Sequence, residues 1–226
     1  MMRITDVVKH LLIINVLVFF VTLLVWGDPA RELTGSLLGG TAELVDWERY
    51  MFALFFPTSP YFRPYQLVSH MFMHGDIGHL LFNMLGLFMF GTMVEMLWGE
   101  RRFLFFYLFC GFGSMLLYLG MKYLELYYWG GASFGAQNVP MLGASGAIFG
   151  VMMAFMLNFP NEPIGILFLP IRIPAKYLIM AFFGYAILTG FGIIGGNRGV
   201  ADFAHIGGAI FGYFLIVYWE KFGTRL

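Results

Sequence analysis

The sequence predicts an all-α membrane protein, a bundle of six transmembrane helices whose long first loop lies against the membrane. Three observations carry that prediction. Of the 226 residues, 60% are hydrophobic and only 12% charged, with a mean hydropathy of +0.78, far from soluble usage. Charge-poor windows near the length that crosses a roughly 30 Å apolar layer recur at about 11–26, 68–91, 103–121, 141–158, 176–195 and 202–219. Polar residues within these windows gather in three short clusters, one each in the second, fourth and sixth.

Lys9 and His10 flank the first window, but Gly27-Asp28-Pro29-Ala30 lacks the small-x-small pattern of a cleavage site, so a retained span is expected. In the connection 27–67, Leu44, Trp47, Tyr50, Met51, Leu54 and Phe55 form an apolar stripe beside Asp46, Glu48 and Arg49. Such a stripe suits a helix lying in the interface, ended by Phe56-Pro57. The fourth and sixth windows are short enough to begin below the outer interface, leaving a water-filled cavity that protein must enclose. Gly195-Gly196-Asn197-Arg198-Gly199 would form a mobile cap over that cavity, and Phe182 or Phe183 would line a lateral entrance.

Thirteen basic and thirteen acidic residues cancel, and the basic ones are dispersed, which argues against nucleic-acid binding. Cys110 is the single cysteine, so no intrachain disulfide can form. An even number of spans puts both termini on one side. Arg3, Lys9, Arg101, Arg102, Arg172, Lys176, Lys221 and Arg225 would lie there in short segments, eight of the thirteen basic residues, so that side is expected to be cytoplasmic. The second, fourth and sixth helices then begin on the outer side. Their polar clusters share one depth. The chain shows no internal repeat, and one domain over 1–226 is expected.

Those clusters carry the candidate chemistry. Ser145 sits in Gly143-Ala144-Ser145-Gly146, where the glycines allow a tight helix entry and close approach of backbone N–H groups. A serine among small residues also serves packing, and Gly146 with Gly150 forms a small-xxx-small face. His205 shares a helix face with Ala204, Gly208 and Gly212, a match that would bring its imidazole beside Ser145. A neutral histidine there can take the serine proton and return it to a leaving amine. His79 and Asn83, four apart on one face, can each offer an N–H to an oxyanion beside the Ser145 backbone N–H; helix–helix hydrogen bonding is the plainer use of the pair. His74 is expected to hydrogen-bond the long loop, His70 to be merely interfacial, Asp76 to cap a helix, and Asp202 to face solvent or cap. A metal-binding transporter using His70, His74, His79 and His205 is a competing reading, weakened by the lack of paired carboxylates. No metal and no cofactor are expected.

These motifs resemble those of the rhomboid family of intramembrane serine proteases. The family pattern His-x-x-x-His-x-x-x-x-His-x-x-x-Asn is met by His70, His74, His79 and Asn83, Gly-x-Ser-Gly by Gly143 to Gly146, and Ala-His-x-x-Gly by Ala204, His205 and Gly208. Gly91-x-x-x-Glu95-x-x-x-Gly99 resembles an element that braces the cytoplasmic turn. The resemblance implies a six-helix rhomboid-like bundle, with Ser145 as nucleophile, His205 as base in a dyad without an acid, and His79, Asn83 and the Ser145 N–H as oxyanion donors. His74, Gly143, Gly146 and Phe149 would support them. Two positions depart from the pattern: Tyr65-Gln66 where the family often has Trp-Arg, and Phe149 where many members place a tyrosine that stacks on the histidine.

The implied activity is cleavage of single-span transmembrane substrates at segments that unwind readily, with small residues at the cut. The implied setting is a prokaryotic cytoplasmic membrane, with lipid around the helices and no obligate protein partner. The alternative is a non-proteolytic rhomboid-like protein that binds membrane segments in quality control.

Overall fold

A computed structural model describes residues 4–26, 50–129, 136–165, 171–194 and 200–223. The first helix, α1 (Asp6–Trp26), buries one stripe, Val8, Leu11, Asn15, Phe19 and Thr22, and leaves Leu17, Leu24 and Val25 exposed. Apolar groups facing outward along such a helix are at home only in lipid. Its N-terminus is fixed from a distance, because the buried Glu95 carboxylate accepts from the Val7 and Val8 N–H groups at 3.0 and 2.8 Å and from the Thr5 hydroxyl at 2.6 Å. A carboxylate on the free N–H groups of a first turn satisfies orphan donors and opposes the helix dipole.

Residues 50–56 overturn part of one expectation. The interfacial stripe was to include Tyr50, Met51, Leu54 and Phe55; these residues instead form turns and an isolated bridge, Leu54 to Met141. Tyr50, Ala53, Leu54 and Phe55 are buried inside the protein. Leu44 and Trp47 lie outside the described residues. The segment is organised by Gln66, which is fully buried on a short helix, α2 (Gln66–Ser69). Its amide nitrogen donates to the Met51 and Tyr61 carbonyls, each at 3.0 Å, and its oxygen accepts from Arg63 N at 3.0 Å and Phe55 N at 3.4 Å. A neutral side chain thus fixes four backbone groups at the position where the family often has arginine.

The second membrane helix begins at Ile77, later than the window from about 68. His70–Phe72 is a 3₁₀ turn, and the Asp76 carboxylate accepts from His79 N at 2.8 Å as an N-cap, which sets the start of α3 (Ile77–Gly86). A π-helical turn over Leu87–Gly91 joins α3 to α4 (Thr92–Trp98), making one apolar run of 22 residues. Gly99, at φ 81°, turns the chain into α5 (Glu100–Tyr127).

The short helix α6 (Ser145–Asn158) follows, then a two-stranded hairpin, β1 (Pro163–Gly165) with β2 (Arg172–Pro174), which the hydrophobic pattern did not indicate. Two more helices complete the bundle, α7 (Ala175–Gly190) and α8 (Val200–Phe222). The sixth window was expected to be short, yet α8 has 23 residues. Among the described residues four helical runs are long and apolar enough to cross a membrane, α1, α3 with α4, α5 and α8, while α6 and α7 are shorter apolar helices. The chain is an integral membrane protein.

Helices α5, α6 and α8 pack most extensively on one another. Lipid is as apolar as leucine, so close packing of small residues must hold such helices together. Gly208 of α8 lies so near the Gly146 carbonyl that a Cβ there would overlap it. One turn on, a Cβ on Gly212 would stand 3.2 Å from the Gly150 Cα. The matched glycines place two backbones in contact at the level of the polar clusters. At the other end Arg102 lies over the Trp219 ring at 4.2 Å, and Trp219 meets Trp98 edge-on at 5.5 Å.

Candidate active site

The Gly146–Gly208 approach has a direct consequence. Ser145 opens α6 and His205 sits in the second turn of α8, and His205 Nε2 is 2.9 Å from Ser145 Oγ. Both residues keep partial exposure, whereas the neighbouring Ala144, Gly146 and Ala204 are buried. As the first residue of its helix, Ser145 has a backbone N–H with no partner inside the helix. Ser114 of α5 supports the serine turn from behind, because a Cβ on Gly146 would collide with its side chain. Hydropathy gave no sign of Ser114, and only its adjacent Gly113 hinted at a close contact.

The turn before the serine is held by His70. That residue is 1% exposed, so the interfacial expectation is overturned. Its Nδ1 donates to the Gln66 carbonyl at 2.9 Å, and its own carbonyl accepts from Gly143 N at 2.9 Å. The path from the first loop to the serine turn therefore runs through two hydrogen bonds. Burial lowers the His70 pKa to about 4, against the raising effect of the Gln66 carbonyl. Gly143 itself has φ 118°, a region that favours glycine. A Cβ there would stand 2.8 Å from His79 Nε2.

His79 thus faces the serine turn with its Nε2 edge. Its Nδ1 lies 3.5 Å from Gly75 N, whose N–H points at it, an arrangement that leaves the ring proton on Nε2. Asn83, one turn further along α3, is buried, and its amide nitrogen meets no hydrogen-bond partner among the described residues. A buried donor without a partner calls for an explanation.

His74 is buried, and among the described residues neither ring nitrogen meets a partner with hydrogen-bond geometry, while residues 27–49 of the loop it was expected to bond lie outside the described residues. Its ring meets His79 edge-on, centroids 5.1 Å apart. Burial, followed by the neighbouring His79, lowers its pKa to about 4, with Phe72 and Asp76 opposing.

Phe149, one turn after the serine, lies flat on His205, with ring centroids 4.4 Å apart and planes 12° apart. Phe183 of α7 packs against Phe149 with ring centroids 5.7 Å apart, and Phe182 is exposed. The glycine-rich segment 195–199, expected to cap the cavity, lies outside the described residues. Among the described residues no three His, Cys, Asp or Glu side chains converge as they would to hold a metal ion.

The model of the rhomboid domain matches residues 61–221. The chain belongs to the rhomboid family. Over 155 residues it is 32% identical to the RHOMBOID-like protein 12, mitochondrial, of Arabidopsis thaliana, covering 65% of this chain and 44% of that one. It is 30% identical over 151 residues to the Rhomboid protease GluP of Bacillus subtilis, covering 66% and 25%, and 29% identical over 221 residues to the Rhomboid protease AarA of Providencia stuartii, covering 89% and 68%. The chain therefore spans less than half the length of the first two relatives. The rhomboid-domain match, residues 61–221, takes in His79, Ser145 and His205.

Proposed function

We propose that this rhomboid chain is an intramembrane serine endopeptidase that hydrolyses a peptide bond in or near the transmembrane segment of single-span substrates. The observation that carries the reading is the 2.9 Å contact between His205 Nε2 and Ser145 Oγ across sixty residues of sequence. Family membership supports the same activity.

In this reading Ser145 Oγ attacks the scissile carbonyl carbon while its proton passes to His205 Nε2. The C–O bond forms, the carbonyl π pair moves to oxygen, and the Ser145 backbone N–H, His79 Nε2–H and the Asn83 amide donate to that oxyanion. When the tetrahedral intermediate collapses, the C–N bond breaks and the leaving amine takes the proton from His205. A water then attacks the acyl-enzyme, giving one proton to His205, and collapse returns it to Ser145 Oγ. The unpartnered Asn83 nitrogen suits a donor that waits for its acceptor.

Helices α6 and α7 complete six crossings in this reading, despite their length. Both termini face the cytoplasm, supported by Lys9, Arg101, Arg102, Arg172, Lys176 and Lys221 on the terminal side, and the serine opens outward in a prokaryotic cytoplasmic membrane. Substrate enters from lipid past Phe182 and Phe183, in a segment that unwinds readily and offers small residues at the cut. The chain acts without an obligate partner.

Purified protein in liposomes with a single-span reporter substrate tests the reading. Cleavage is expected, and Ser145→Ala is expected to abolish it at unchanged thermal stability. Unchanged cleavage in that variant would remove Ser145 as nucleophile, and substrate binding without cleavage by the parent would favour a membrane-segment binder.

A further inference from the structure

On the far side of the His205 ring stands a carboxylate. Asp202 Oδ1 lies 3.8 Å from His205 Nδ1, and both side chains are 27% exposed. Asp202 was expected to face solvent or to cap α8. It keeps partial exposure in the first turn of the helix, and its place one turn before His205 also brings the acid to the nitrogen that does not face the serine. From the neighbouring helix α7, Thr189 is the polar neighbour of that carboxylate, and a Cβ on Gly190 would stand 3.6 Å from the Asp202 Cβ.

The two ring nitrogens of His205 have separate duties. Nε2 must be free of hydrogen to accept the Ser145 proton, so the ring must carry its proton on Nδ1. Phe149 holds the plane of the ring but has no polar atom with which to choose between the two tautomers. Among the described residues, the titratable side chain that faces His205 from another helix is His79, a donor whose charged form would oppose the imidazolium. The Asp76 carboxylate acts on His79 and caps its helix. Asp202 is the acid placed at Nδ1.

Building on the peptidase reading above, we propose that Asp202 is a positioning residue of the reaction: its carboxylate keeps the His205 proton on Nδ1 and stabilises the imidazolium formed when Ser145 attacks. Asp202 takes no proton at any stage. The Ser145 proton moves only between Oγ, Nε2 and the leaving amine, and Asp202 stays ionised throughout. At 3.8 Å the pair is longer than a hydrogen bond, so the acid acts through charge, and a small side-chain rotation would close the contact. The site then works as a serine–histidine pair with an acid behind it rather than as an isolated pair.

The test uses the full chain in liposomes with the reporter substrate, comparing parent, Ser145→Ala, Asp202→Asn and Asp202→Glu. Asparagine keeps the shape and removes the charge. It is expected to lower kcat by roughly 10- to 100-fold, less than for a fully buried triad acid, while KM changes little. The acid limb of the kcat profile is expected to move to lower pH, because an imidazole without the carboxylate protonates less readily. Slower turnover that persists further into acid is a pairing that a loss of fold does not produce. Glutamate is expected to recover much of the rate and return the limb. Nitrogen-15 spectra of His205 in the Ser145→Ala background supply a readout independent of activity, with the preference for Nδ1–H lost on Asp202→Asn.

If the parent cuts, Ser145→Ala does not, and Asp202→Asn keeps the parental kcat, acid limb and tautomer, the role of Asp202 is overturned and the peptidase reading stands. A fall in rate matched by a fall in thermal stability, with the limb and tautomer unmoved, overturns it equally. If parent and Ser145→Ala are alike, it is the peptidase reading that fails.

Discussion

Phe149 and His205 are stacked nearly parallel, 4.4 Å between ring centroids and 12° between planes, although 56 positions separate them in the chain. The contact joins α6 to α8 and fixes the plane of the imidazole, so that Nε2 meets Ser145 on one edge and Nδ1 turns toward Asp202 on the other. A phenylalanine suffices for this, because the stacking face needs no hydroxyl.

Truncating that ring is expected to cost rate more than fold. Phe149→Ala should lower kcat about 10- to 100-fold by freeing the imidazole from its attack geometry, whereas Phe149→Tyr should stay within a few-fold of the parent. Steady-state cleavage of the reporter substrate in liposomes measures both.

Gly143 combines φ 118° with a missing Cβ beside His79 Nε2. Gly143→Ala is expected to cost about 1–3 kcal/mol of stability and to displace His79 or the serine turn. The loss of kcat should exceed the loss of binding. Thermal denaturation in detergent and the split between kcat and KM check the two parts.

Glu95 accepts three hydrogen bonds from the start of α1. Removing its carboxylate leaves the Val8 N–H in a buried place without an acceptor, so Glu95→Ala is expected to destabilise the bundle by about 2–4 kcal/mol. Protease sensitivity near residue 6 should rise, while the chemistry at Ser145 in the remaining folded fraction should be unchanged.

Acid should loosen the first loop before it affects the lipid-facing helices. The His70 pKa is about 4 in the fold and about 6.5 in an open chain, so the folded loop binds fewer protons between those values. The stability contributed by neutral His70 is fully present above about pH 6.5 and is lost as pH falls toward 4, up to about 3 kcal/mol. Thermal midpoints measured across that window should fall with pH, and His70→Asn should remove its share of the slope while the share of His74 remains.

Much of the bundle could be read in advance because lipid imposes a strict code. An apolar run either spans or it does not, and polar residues inside one are conspicuous. His79, Asn83, Ser145 and His205 stood out on that ground, and the glycines around them indicated where helices could touch. Gln66 and His70 were harder to place. Their role depends on backbone groups of residues 51–63 and 143 that sequence spacing does not connect, so Gln66 appeared only as a departure and His70 as an interfacial histidine. The hydropathy window opened too early, at about 68, because His70–Phe72 is apolar enough to extend it, whereas the expected cap at Asp76 marks where α3 begins.

The sequence by itself determined that this is a membrane chain of apolar helices, with a small set of polar side chains rationed to one level, because water-to-lipid transfer depends on composition over a window. Only the tertiary structure decided the geometry in which those side chains meet. The 2.9 Å contact of Ser145 with His205, the stack of Phe149 on its ring and the turn of Asp202 toward Nδ1 all follow from the close approach of α6 and α8 at Gly146 and Gly208. The small-residue faces marked where the two helices could touch, while the distances and angles of the approach are set by backbone packing between distant segments, beyond the reach of a local pattern.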